Sequence, residues 1–319
     1  GDSLIDLTTS PTSVFRADAA YYFQNSPREE ETSFRVASYQ MDLRIRRGLL
    51  GKVTMKLEGP PLSQYPFTLY HGYQVAKVTD ETGDALPFTR EGDYLTVTPQ
   101  GELSSLTVEY AGSSPMFYSG SQGVCLPGCF PYYPWAGYRK IFYAEPDDGI
   151  GLSSFIPRTD LPQSDFTVTV TGGKNLQASL PEVDGTYQGT ANGFSLMGGL
   201  LESEESGPYR LVTSPLAPPW CQVTEEWLDQ LQAAITQEEK KRGLSPAIQL
   251  SDYVLFQNNE TLLNRAGYGL AIGFSDHMFL QMGWKAEDLA EKIVAQYYDP
   301  VLLSAEEVQA ELERQAMGA

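Results

Sequence analysis

The chain has 319 residues, 41% hydrophobic, 12% aromatic and 20% charged, enough to bury the cores of two folded domains. Its 41 acidic side chains outweigh 22 basic ones, and the formal charge of −19 argues against a nucleic-acid backbone or an anionic membrane surface as partner, since both need cationic patches. The charge reads first as the solubility of a secreted or surface protein, with attraction of cationic ligands as the other reading. No apolar run reaches the roughly 18 residues needed to span a bilayer. The opening Gly-Asp-Ser-Leu, without a methionine, is expected of a trimmed chain whose upstream signal or anchor is missing.

Residues 1–36 are polar and punctuated by Pro11 and Pro27, a lead-in with one short helix expected around Val14–Phe23. From Ala37 the pattern switches to period two. Strands are predicted over Tyr39–Ile45, Gly51–Leu57, Pro66–Tyr70, Tyr73–Asp80, Tyr94–Thr98 and Leu106–Tyr110, separated by turn chemistry at Glu81–Asp84 and Arg90–Asp93. The Gly-, Pro- and aromatic-rich tract Phe117–Tyr143 reads as an ordered excursion. Within it, Tyr132-Tyr-Pro-Trp135 reads as a core staple in preference to a ligand platform. Alternation resumes at Phe166–Thr171, Leu176–Leu180, Thr186–Thr190 and Gly193–Met197. Short strands at this spacing predict an antiparallel β-sandwich over residues 37–215.

Beyond Leu216-Ala-Pro-Pro-Trp220 the period becomes helical. Trp227–Lys241 carries an apolar stripe with Gly243 as its C-cap, Tyr253–Gln257 and Gly269–Gly273 read as strands, and Ala286–Tyr298 and Ala305–Met317 as helices. The fold class expected is α+β, an N-terminal antiparallel β-sandwich followed by a smaller α/β domain over residues 216–319.

Candidate chemistry is sparse. Cys125 and Cys129 lie in a Cys-Leu-Pro-Gly-Cys turn that either closes a disulfide or holds two reduced, partly buried thiols, and Cys221 stands alone. A bridge would support an extracytoplasmic address. Only two histidines exist, His71 and His277, and the sequence shows no Cys–His or Ser–His dyad around either. Tyr118-Ser-Gly-Ser-Gln-Gly123 is not a Gly-x-Ser-x-Gly elbow. Asp147-Asp148 reads as a solvated turn in preference to a calcium site, and Asn259-Glu-Thr261 matches a glycosylation acceptor only through a short motif.

The strand rhythm, the step Val108-Glu-Tyr-Ala-Gly112, the aromatic Phe130-Pro-Tyr-Tyr-Pro134 and Phe194-Ser-Leu-Met-Gly-Gly199 together resemble the front of an M1-family aminopeptidase, a gluzincin. The resemblance spans roughly residues 37–298 and implies a thermolysin-like domain after the sandwich. That family's exopeptidase signature would fall over Leu263–Leu270, where Tyr268, Gly269 and Leu270 survive but Ala266 and Gly267 replace its glutamate and asparagine. Its zinc helix would fall over Glu291–Tyr298. Two histidines one turn apart and a neighbouring glutamate are required there, and the chain has Glu291, Lys292 and Ala295. The third ligand position would fall near Arg314, beside Glu313.

These departures imply a pseudopeptidase: a non-catalytic extracytoplasmic binding or regulatory module with no catalytic residue, metal or cofactor. It would take a peptide or protein ligand but no nucleic acid, and would be tethered to a membrane by segments outside this chain. A structural or adhesive surface protein, or a hydrolase with a non-zinc site, is the alternative. The expected vestigial groove is walled by Tyr268, Lys292 and Tyr297, with Lys292 either receiving an acidic guest or pairing with Glu291 or Asp288.

Overall fold

Side chains that alternate between buried and exposed suit a sheet with one wet face, and the first half of the chain is built from them. A computed structural model describes residues 18, 21–22, 24–143, 154–217, 222–258, 272–281 and 283–298. Its strands begin with β1 (Arg35–Arg46), β2 (Gly48–Glu58), β3 (Tyr65–Thr68), β4 (Tyr73–Asp80), β5 (Phe88–Glu91), β6 (Tyr94–Val97) and β7 (Ser105–Gly112). They continue as β8 (Val124–Leu126), β9 (Trp135–Ala136), β10 (Phe142–Tyr143), β11 (Ser154–Phe155), β12 (Ser164–Thr171), β13 (Gln177–Ala178), β14 (Glu182–Val183), β15 (Thr186–Ala191) and β16 (Leu196–Gly198). A seven-stranded sheet runs β14-β15-β12-β1-β2-β7-β4, and a four-stranded sheet β5-β6-β3-β9 and a three-stranded sheet β13-β16-β8 accompany it.

The pairing in the large sheet is antiparallel apart from β1 with β12, which run parallel with Tyr39 opposite Phe166 and Met41 opposite Val168. Met41, Leu43, Val53, Met55, Leu106 and Val108 share one buried cluster with Phe67, Leu95, Val97 and Leu196 of the smaller sheets, so the layers close over a common core. Gly51 is required by that core: a Cβ there would lie 2.3 Å from the ring of Tyr110, its cross-strand partner. The ring crosses the strand at that point, and its hydroxyl donates to the Tyr132 carbonyl at 2.8 Å. The aromatic tract is indeed a staple. Tyr132, Tyr133 and Trp135 are buried, Tyr132 Oη donates to the Phe194 carbonyl at 2.6 Å, and Tyr39 Oη donates to that of Pro134 at 2.7 Å.

The second unit is a five-stranded sheet, β17 (Glu202–Ser206), β18 (Tyr209–Thr213), β19 (Val254–Asn258), β20 (Ile272–Gly273) and β21 (His277–Gln281), in the order β17-β18-β19-β21-β20. Strands β18, β19 and β21 are parallel. The hairpin β17–β18 continues the strand rhythm of the sandwich in sequence, yet it pairs through β18 with β19. Two helices cover one face: α1 (Glu225–Lys241) and α2 (Ala286–Tyr298). Thr224 caps α1 by accepting from the Trp227 N–H at 3.2 Å, and Gly243, at φ 74°, follows its end.

Period two sorts the faces of this sheet. Leu211, Leu255, Met278 and Leu280 turn to α1 and α2, whereas Val212, Phe256 and Phe279 join the core of the first unit. A fold class of α+β, with a β-rich first part and a smaller α/β part, is what the molecule has.

Candidate functional site

Helix α2, which the sequence places over the zinc motif, buries Leu289, Ala290, Ile293 and Val294 against α1 and the sheet. Glu291 is exposed and Lys292 half-buried, without an ion pair among the described residues. Tyr297 lines a hollow of about 30 Å³ with Phe274, Met278, Ile293 and Gln296; Lys292 is not part of its wall. Of the three expected groove residues, Tyr268 lies outside the described residues, as do Cys221, Asp147, Asp148, Asn259, Arg314, Glu313 and the helix expected over 305–317.

Both histidines are committed inside the fold. His277, fully buried on β21, faces Ser195 Oγ through Nε2 at 2.7 Å and Asp276 Oδ1 through Nδ1 at 2.6 Å. A Ser–His dyad therefore exists, contrary to the sequence reading, because folding joins residues 82 positions apart. Its hydrogen bonds follow the order of a serine-hydrolase triad, but its setting does not. Ser195 is fully buried, its Oγ also accepts the Gly128 N–H at 2.8 Å, and the Phe274 ring stacks on the imidazole at 4.1 Å. A nucleophile needs a face open to substrate; this serine has none. The trio is a clasp between the layers, with Ser195 beside β16 and His277 on the second sheet.

His71 sits between two carboxylates, Nδ1 at 3.0 Å from Asp93 and Nε2 at 3.2 Å from Asp18, under the rings of Tyr21 and Tyr70. Burial alone would lower its pKa; the hydrogen bonds to Asp18 and Asp93 outweigh that and raise it to about 9. Asp18 belongs to the lead-in, and Glu29 from the same segment accepts both terminal nitrogens of the buried Arg158 at 2.8 Å, with Asp160 on the other edge. The described residues of the lead-in are thus pinned to the sandwich by ionic contacts.

Cys129 is a buried free thiol, so the Cys125–Cys129 bridge considered from the sequence is not formed. Cys125 is held in β8 opposite Met197, and the intervening turn is fixed by Gly128 N–H on Ser195. Burial pushes the Cys129 thiol well above its ordinary pKa, so it is not a reactive thiolate.

The ligand-sized space lies elsewhere. A cavity of about 670 Å³ opens where the two units meet, bordered by Arg46 and Arg47, the loop Tyr118–Val124, the stretch Met197–Leu201, Ser214 and Gln257. It lies by the carboxyl ends of β18 and β19, the edge where open α/β sheets bind ligands. Sequence reasoning missed this site. The signal was a pair of adjacent arginines at a strand end in a strongly acidic chain.

No protein-family model matches the chain, and no curated protein sequence matches it. Solved structures do. A two-domain M1 zinc metallopeptidase variant bound to L-arginine is similar with a TM-score of 0.55 at 15% identity, over 84% of this chain and 65% of its own. The fold is that of the M1 zinc metallopeptidases. A second such peptidase variant, from Deinococcus radiodurans, gives a TM-score of 0.50 at 17% identity over 83% of this chain and 64% of its own. The chain thus spans just under two thirds of the length of these neighbours.

Zinc is the metal implied by this M1-like fold, and the described residues do not fit it. Helix α2 carries Glu291, Lys292 and Ala295 at the positions where the M1 resemblance of the sequence expects imidazoles and a carboxylate base. The chain's two histidines have both ring nitrogens engaged by protein groups.

Proposed function

We propose that this chain is a non-catalytic binding module built on an M1 peptidase-like scaffold, taking a peptide or protein ligand outside the cytoplasm. The observation that carries the reading is the fate of the histidines. Each is consumed by internal partners, and the helix at the expected zinc position offers an alanine and a lysine in their place. An ammonium group cannot act as the carboxylate base that activates a zinc-bound water. What remains is a fold with a cavity large enough for a ligand. The acidic surface suits a secreted or surface setting. No helix among the described residues is long and apolar enough to cross a membrane.

The test is hydrolysis of chromogenic amino-acid amides by the purified chain with added zinc. The expected result is no turnover above the uncatalysed rate. Turnover abolished by a chelator and restored by zinc would overturn the reading.

A further inference from the structure

We propose that the cavity between the two units binds a small organic anion through its carboxylate, of the kind presented by the free C-terminus of a short peptide with an apolar last residue. The proposal deepens the reading of the chain as a binding module and rests on it.

Four observations converge. The first is size: about 670 Å³ lies within the roughly 300–1,000 Å³ of cavities that hold small-molecule ligands. The second is charge. Consecutive strand residues point to opposite faces, but the chain reverses between Arg46 and Gly48, which pair with each other, and both Arg46 and Arg47 reach the cavity. Nearby Arg44 has Asp42 at 3.8 Å; among the described residues, Arg46 and Arg47 have no ion pair and no Asp or Glu lines the cavity. In a chain with 41 acidic side chains against 22 basic ones, two arginines with no acidic neighbour among the described lining residues form a local positive site.

The third observation is an unmet hydrogen bond. Ser119 is 8% exposed, lines the cavity, and its Oγ has no partner. A buried hydroxyl left unsatisfied is costly, and a ligand oxygen would recover that loss. The fourth is rigidity. The loop is a tight hairpin in which Gly120 N–H donates to the Gly123 carbonyl and Cys125 N–H to that of Tyr118, both at 2.9 Å. Arg47 bridges to Gly120 and Ser119 to Val124, so arginine and serine are held on one frame. Gly199, at φ 117°, lets the facing stretch pass close to Gln122.

Guanidinium groups match the planar, two-oxygen face of a carboxylate. The rest of the wall selects the body of the guest. Val124, Met197 and Leu201 are apolar, and Tyr118 (43% exposed) and Leu200 (64% exposed) present large side chains to the opening. A carboxylate joined to an apolar residue satisfies both halves; a free inorganic anion uses only one.

The experiment is isothermal titration of the whole chain at low salt with N-acetylated Ala-Ala-Leu, Ala-Ala-Phe and Ala-Ala-Tyr, each as free acid and as C-terminal amide. Acetylation removes the amine an aminopeptidase needs, so the result stands even if the chain proves hydrolytic. At least one free acid is expected to bind, with its amide about tenfold or more weaker, the size of a lost charge-assisted pair. The Arg46→Gln/Arg47→Gln double variant should lose that discrimination, and Ser119→Ala should weaken the acid by about three- to tenfold. Binding of acid and amide alike, full binding by the double variant, or no binding by any free acid would each overturn the proposal. Displacement of the bound acid by inorganic phosphate at equal concentration would also overturn it, showing a general anion site.

Discussion

Two polar clusters lie where the β-layers meet the five-stranded sheet, and they differ in how their hydrogen bonds close. Around Ser195 and His277 the hydroxyl and both imidazole nitrogens are engaged within the protein, and the Phe274 ring covers the imidazole. Around Arg46, Arg47 and Ser119 the guanidinium groups have no counter-ion among the described residues, the serine hydroxyl has no partner, and a cavity opens between them. Triad-like geometry marks the first cluster, yet its hydroxyl and imidazole are both taken up within the protein, and the one spare atom, Asp276 Oδ2, is buried. The second has no familiar motif, but it has unsatisfied donors and room. Unused bonding capacity that faces open space is therefore a better guide to a site here than resemblance of side-chain order.

The contrast can be broken by substitution. His277→Ala removes a fully buried ring and leaves Ser195 and Asp276 facing a void, so a loss of about 3–5 kcal/mol in urea unfolding is expected. A loss under about 1 kcal/mol would mean that the clasp is not structural.

The next largest effect belongs to a cluster that carries charge, Asp18–His71–Asp93, with Tyr21 and Tyr70 on the ring and the half-buried Arg90 nearby. Arg90 is pushed down to about 10 by burial and stays charged where His71 titrates. His71 has a folded pKa of about 9 against an ordinary value of 6.5, so it binds its proton more tightly in the folded chain. Its contribution is fully present below pH 6.5 and is lost as pH rises through 9. Stability should fall over that window by on the order of 2 kcal/mol, and His71→Gln should flatten the profile. An unchanged slope in the variant would remove His71 from the account.

Ser195→Ala should cost about 1–2 kcal/mol through the orphaned Gly128 N–H and His277 Nε2, and should leave binding of the blocked tripeptides unchanged. The smallest effect is expected of Arg46→Gln/Arg47→Gln, within about 0.5 kcal/mol of the parent because both residues are exposed. A large loss there, measured in the same unfolding series, would turn the open cluster into a second structural one.

Much of this architecture was legible because its signals are local. The helix predicted over Ala286–Tyr298 has those bounds, and the helix predicted from Trp227 starts at Glu225, behind the Thr224 cap. Alternation revealed β1, β2, β7 and β12, although not that β1 and β12 would run parallel. Strand β21 was missed because His-Met-Phe-Leu-Gln lies with both faces covered, where period two vanishes. Strands β17 and β18 fall within the span 37–215 read as sandwich, and nothing in their residues tells which sheet such an edge will join. The site was less legible than the fold. Ser195 with His277, and Arg46 with Ser119 and Gln257, come together only through tertiary pairing, and no motif spans such separations.

The proposed reading of this M1-like scaffold is ligand binding without zinc chemistry. Its most direct test is metal content by atomic emission after dialysis against zinc and then against zinc-free buffer. The account predicts no stoichiometric zinc, because α2 offers Glu291, Lys292 and Ala295 and both histidines are already bonded within the fold. One equivalent of zinc retained through the second dialysis would contradict it.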